Sequence, residues 1–218
     1  SRRRAAALVG GCLLASAPGA AMAADGPSLM RQGMAAFTKA KVPESVELFD
    51  QAAQNGYPKA MLWQRGLSLY YADRFDDGAD QFRKDVEMNP NDTEESIWAM
   101  LCEARTKGFD EARKQMLKVG RDRRPVMRTV LAMFQGDGEA ESAASLERMA
   151  GNGGSDEFYS TLYLGLFAEA KGEEAKAKKW ISRSVATPYA KGSGDYMADL
   201  ARVHVQLRGW APAKGGEL

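Results

Sequence analysis

The feature that most constrains this chain is a recurrence of small and large residues at intervals of 33 to 34 positions. Gly33 and Gly66 are 33 apart, and so are Phe37 and Tyr70, Ser45 and Gly78, and Phe49 and Phe82. The interval becomes 34 from Gly78 to Ala112 and from Phe75 to Phe109. A further copy reads Leu164-Gly165, Gly172, Ala177. A fixed period of this length marks a chain of stacked supersecondary units. No stretch shows sustained alternation of apolar and polar residues, so each unit reads as two antiparallel helices and no sheet is expected. Two helices approach closely only where a small residue on one faces a large residue on the other. Gly66 and Gly78 supply notches, and Phe75 and Phe82 fill the volume between layers. One pair cannot bury its apolar face alone, so neighbouring pairs must stack.

Periodicity and breakers predict helices at about 27–40, 44–55, 58–72, 75–88, 93–107, 109–120, 124–136, 139–150, 156–171, 173–187 and 194–208. Pro43 and Pro125 suit first helical turns, and Pro90-Asn91-Asp92 ends one helix before the next opens at Thr93. Gly151-Asn152-Gly153-Gly154 reads as a flexible break, the helix near Tyr196 to Leu207 as a cap closing the stack, and Gly209 to Leu218 as a loose tail.

These small and large positions resemble the tetratricopeptide repeat. Residues 59 to 92 match best, through Gly66, Phe75, Gly78, Phe82 and Pro90-Asn91-Asp92. Residues 26 to 58 match through Gly33, Ser45, Phe49 and Ala52, and residues 93 to 120 through Phe109, Asp110-Glu111-Ala112 and Met116, with Gly108 one place late. Residues 158 to 186 match through Leu164, Gly165, Gly172 and Ala177, with Glu174 at the usual aromatic site. The resemblance implies an all-α, right-handed αα superhelix of helical hairpins. The order of Ser96-Ile97-Trp98-Ala99, Arg124-Pro125-Val126-Met127, Met133-Phe134-Gln135-Gly136 and Tyr163 to Ala168 is similar to the bacterial new lipoprotein I family and its plastid relatives. That likeness implies a non-catalytic adaptor for proteases and cell-wall hydrolases.

In such repeats the first helix of each pair lines a concave groove. Carried onto this chain, the groove candidates are Met30, Met34 and Phe37, then Trp63, Leu67, Tyr70 and Tyr71, then Ile97, Leu101 and Arg105. The same helical spacing also fits plain core residues. Positions that would clamp a carboxylate in one subclass of these repeats hold Met30, Met34, Gln64, Glu94 and Trp98 instead. Glu94 would repel a carboxylate. The expected partner is therefore a protein segment, helical or extended, with large apolar side chains. A homodimer whose groove or terminal helices are self-occupied is the rival expectation.

Composition removes other classes. The chain has 218 residues, 30 Lys+Arg against 29 Asp+Glu, one histidine and two cysteines. Near-neutral charge without interleaved basic and aromatic residues excludes a nucleic-acid surface. His204 stands among Ala201, Val203 and Leu207, without a nucleophile motif, and reads as structural. Cys102 reads as a small core residue. Asp73, Asp76, Asp77 and Asp80 lack the spacing of a calcium loop. No enzyme activity, metal or cofactor is expected. Arg121, Arg123, Arg124 and Arg128 form a basic stripe that reads as a solvated turn or as a dock for an acidic partner.

Ser1-Arg2-Arg3-Arg4, an uncharged stretch to Ala20 and Ala21-Met22-Ala23 have the three parts of a cleavable export signal. The division expected is a signal over 1–23, a repeat domain over 24–208 and a tail over 209–218. The Arg2-Arg3 pair resembles a twin-arginine signal; read as the second half of a two-part transit peptide, the segment points to a thylakoid lumen, with a bacterial periplasm as the alternative. Val9-Gly10-Gly11-Cys12 resembles a lipoprotein box, but the apolar stretch before Cys12 is short for lipidation.

Overall fold

The computed structural model describes residues 25–210, and its regular elements are all helical. Helix starts follow side-chain chemistry. Asp25, Asp92 and Asp195 each accept a backbone N–H of the turn they open, at 2.7 to 2.9 Å, as a carboxylate at a helix N-cap does. The first two hairpins are α1 (Gly26–Phe37) with α2 (Val42–Gln54), and α3 (Trp63–Tyr71) with α4 (Phe75–Met88). Then come α5 (Thr93–Lys107) with α6 (Phe109–Lys114), α7 (Pro125–Gln135) with α8 (Glu139–Met149), and α9 (Gly154–Ala170) with α10 (Glu174–Ala186). A short α11 (Pro188–Gly192) leads to α12 (Tyr196–Leu207).

The notches meet large partners as the spacing requires. A Cβ added to Gly33 would stand 3.1 Å from the Phe49 ring, one on Gly66 2.6 Å from Phe82, and one on Gly165 2.3 Å from Ile181. Gly78 faces the Cys102 sulfur and the α3 backbone. Each turn between paired helices also holds a residue with positive φ: Ala40, Asp73, Gly108, Gly136 and Gly172. Ala40, Asp73 and Gly172 each follow a notch glycine by seven residues. The next residue closes the helix with the same long bond, Lys41 to Ala36, Arg74 to Leu69 and Glu173 to Ala168, at 2.8 to 3.0 Å. This is the Schellman ending, repeated in register.

Steps of 33 from Gly33 land on Gly66, Ala99, Ala132, Gly165 and Ala198, one small residue on each of α1, α3, α5, α7, α9 and α12. α12 therefore occupies the place of a sixth first helix. Successive first helices from α1 to α9 touch one another, and α12 lies against α10. α5 is buried from Glu95 to Glu103 and α9 from Phe158 to Ala168. Helices buried on every face are central ones.

The departures from expectation have local causes. The helix expected over 58–72 divides into a 3-10 turn at Lys59–Met61 and α3. The helix expected over 109–120 stops at Lys114 because other partners hold the next residues: Ser96 Oγ donates to the Leu117 carbonyl and Gly120 N to the Pro90 carbonyl, both at 2.7 Å. α11 was not anticipated; Thr187 caps it by accepting from Ala190 N, and Pro188 occupies its first turn. Trp210, assigned by sequence to the loose tail, is buried beside His204, with ring centroids 5.3 Å apart. The signal expected over 1–23, Cys12 and residues 211–218 lie outside the described residues. No helix among the described residues is long and apolar enough to cross a membrane.

Candidate functional site

The ten groove candidates come from three first helices, and the structure gathers most of them on one inner face. It does not leave that face open. Phe37, Leu67, Tyr70, Ile97 and Leu101 are buried, the least covered of them 3% exposed, which corrects their assignment to an open groove. The cause is α12. Tyr196 stacks on Phe37 at 5.7 Å and meets the Trp63 ring edge-on at 5.5 Å. Tyr71 and Trp98 pack behind them. Each such ring pair adds about 0.5–1.5 kcal/mol beyond the area it buries, so the chain's own helix holds these aromatic rings. Met30, Met34, Trp63 and Tyr71 remain half-buried and Arg105 is exposed. Arg105 lies over the Phe75 ring at 4.7 Å.

His204 holds α12 to this face. The Tyr71 hydroxyl and His204 Nδ1 are 2.8 Å apart. Burial holds the imidazole well below its ordinary range, at about 4. The neutral ring therefore accepts the tyrosine proton at Nδ1 and carries its own at Nε2, which faces Glu169 at 3.5 Å. Burial also pushes the Tyr71 phenol well above its usual pKa. A neutral, fully buried histidine bonded to a tyrosine hydroxyl pins α12 to α3.

Two clefts lie near this face. One of about 170 Å³ is lined by Trp63, Leu67, Phe82, Asp92, Glu94, Glu95, Trp98 and Met197. The other, of about 440 Å³, is lined by Tyr70, Leu101, Arg105, Glu169, Ala170, Gly172, Glu174, Arg208 and Trp210. Arg208 donates to Glu169 at 2.6 Å on its rim.

The basic stripe is divided. Arg124 pairs with Glu94 and Asp122, each at 2.8 Å, and lies over the Tyr159 ring at 5.5 Å. Tyr163 donates to the other Glu94 oxygen at 2.9 Å. Arg128 donates to the carbonyls of Asp122 and Arg123. Arg124 and Arg128 therefore serve the fold, which corrects their place in a docking stripe. Arg121 and Arg123 are exposed and line a polar cleft of about 540 Å³ with Asn89, Asn91 and Asp92.

Sequence reasoning did not single out Glu95, Glu169 or Arg208. The 33-residue steps carry one usable signal, since Ala198 falls on them and marks α12 as an inner helix. Among the described residues, no group of three or more His, Cys, Asp or Glu could hold a metal ion. No protein-family model matches the chain, and no curated protein matches it.

Proposed function

We propose that this chain is a non-catalytic, tetratricopeptide-type scaffold that recruits a protein partner. The observation that carries the reading is the interlock repeated in register: Gly33 against Phe49, Gly66 against Phe82 and Gly165 against Ile181. A stack built this way presents a long surface of helix ends and rims, the usual output of repeat architectures. Partner contact falls on the larger cleft around Arg105, because α12 occupies the centre of the inner face. Its partly apolar lining, with Arg105 beside the paired Arg208 and Glu169, suits a helical or extended segment with large apolar side chains.

The basic and apolar residues 1–23 support an exported compartment, a thylakoid lumen or, in the other reading, a bacterial periplasm. The partner class proposed is a protease or a photosystem assembly intermediate in the first, and a cell-envelope hydrolase in the second. The test is capture from extract of that compartment with the full chain and with Arg105→Glu, an exposed position, with circular dichroism to check that the variant keeps its helices. Recovery of such a partner that falls at least about fivefold with Arg105→Glu is expected, a loss of about 1 kcal/mol. Recovery of none, or recovery indifferent to the exchange, would sink the proposal.

A further inference from the structure

We infer that the small cleft between α3 and α5 is a binding site for an organic cation, an ammonium or methylated ammonium head. Its charge would meet the Glu95 carboxylate while its methyl or methylene groups lie against the half-buried Trp63 ring. At about 170 Å³ the cleft has room for such a head but not for a large ligand.

Glu95 is 8% exposed. No side-chain hydrogen bond or ion pair among the described residues reaches its carboxylate, and Oε2 is buried without a partner. A buried carboxylate is normally paired, because losing water without a substitute is costly. The neighbouring acids each have a partner, although Asp85 Oδ2 is also buried without one. Asp92 caps α5 by accepting from the Glu94 and Glu95 amides. Glu94 is held by Arg124 and Tyr163. Asp85, on α4, accepts from Gln81, and Arg65 stands beyond it. α3 brings Trp63 and Leu67 to the cleft and α12 brings Met197, none of them charged.

The walls complete the case. Lys and Arg side chains lie over Tyr70, Phe75, Phe109, Phe167, Tyr159 and Trp180, yet among the described residues none lies over Trp63; Phe82 and Trp98 are buried and stack on each other, which leaves Trp63 as the accessible ring. Aromatic faces beside an acid are the setting that attracts a quaternary ammonium. An anion would meet Asp92, Glu94 and Glu95, and the cleft lacks a metal-ligand set. This cation site is independent of the scaffold reading, since a free small amine or a lysine side chain of a partner could supply the charge.

A pH signature separates the site from plain apolar binding. Burial first, and then Asp92, Asp85 and Glu94, push the Glu95 carboxyl up to about 8. A permanently charged ligand favours the ionised form, so affinity must rise as pH passes through that value. Calorimetry on the full chain would use tetramethylammonium, its neutral counterpart tert-butanol, and Nα-acetyl-trimethyllysine amide. We expect saturable binding of the two cations, tightening about tenfold or more between about pH 6.5 and about pH 8.5. Glu95→Gln should weaken it at least about tenfold and flatten the pH profile. Trp63→Phe, which keeps a ring in the fold, should weaken it less than Trp63→Ala. Tighter binding of the lysine derivative assigns the cation to a protein side chain; tighter binding of the free cation assigns it to a small molecule. The site is refuted if tert-butanol binds as well as the cations, if Glu95→Gln binds unchanged, or if no cation binds at about pH 8.5.

Discussion

Single residues set the helix spacing here, and their effects can be ranked by distance. Gly165 leaves a Cβ 2.3 Å from Ile181 and 3.0 Å from its backbone nitrogen, Gly66 leaves one 2.6 Å from the Phe82 ring, and Gly33 one 3.1 Å from Phe49. Replacement by Ala gains helix propensity of about 1 kcal/mol but forces overpacking that costs about 1–3 kcal/mol or more. Urea denaturation should therefore rank Gly165→Ala as the most damaging, then Gly66→Ala, with Gly33→Ala near neutral. A Gly66→Ala/Phe82→Leu double variant should recover part of the loss, because the two sites couple through one contact. Equal effects at the three glycines would show that the notches do not set the helix approach. The turns give the opposite sign. Ala40 and Asp73 adopt φ of 57° and 56° where the equivalent residue is Gly172. A left-handed residue with a Cβ costs about 1–2 kcal/mol. Ala40→Gly should thus stabilise the chain by up to about 1 kcal/mol and Gly172→Ala should destabilise it.

At the scale of elements, α12 decides what the inner face can do. It brings Tyr196 to Phe37 and Trp63, His204 to Tyr71, and Met197 to the small cleft. Truncation after Gly194 should therefore bare a contiguous aromatic face, and the shortened chain should bind a hydrophobic dye such as ANS where the full chain does not. Tyr71→Phe is the finer probe. It leaves a buried imidazole nitrogen without a donor, at a cost of about 1–3 kcal/mol, without moving any ring. A truncated chain that ignores the dye would mean that another element covers the face.

Across the whole molecule, buried titratable groups give stability an uneven dependence on pH. His204 has a folded pKa of about 4 against an ordinary 6.5. The unfolded chain binds its proton first, so this contribution is lost as pH falls from about 6.5 towards 4. Glu95 and Asp85 are raised by burial to about 8 and about 7. Their contribution is present below about pH 4 and is lost as pH rises through those values. Above about pH 6.5 only the carboxylates still act, and Tm should decline towards pH 8.5. Glu95→Gln removes one of them, and should raise Tm by several degrees, roughly 2–4 °C per kcal/mol, at about pH 8.5 while changing it little at about pH 5. Thermal melts across this range provide the measurement, and equal shifts at both pH values would count against an ionisable buried Glu95.

The sequence by itself determined the helices and their pairing. α4 and α5 have the bounds that periodicity and breakers predict, and the notch glycines meet the rings one hairpin-length away, because both signals are local and repeat within the span of two helices. Whether the inner aromatics would be open or covered was a different kind of question. Phe37 and Tyr196 are far apart in the chain, as are Tyr71 and His204, and their meeting depends on how all the intervening hairpins pack. No local pattern encodes that long-range packing. Only the tertiary structure laid α12 against Phe37 and Tyr71, turned Arg124 inward to Glu94 and left the Glu95 carboxylate without a partner among the described residues.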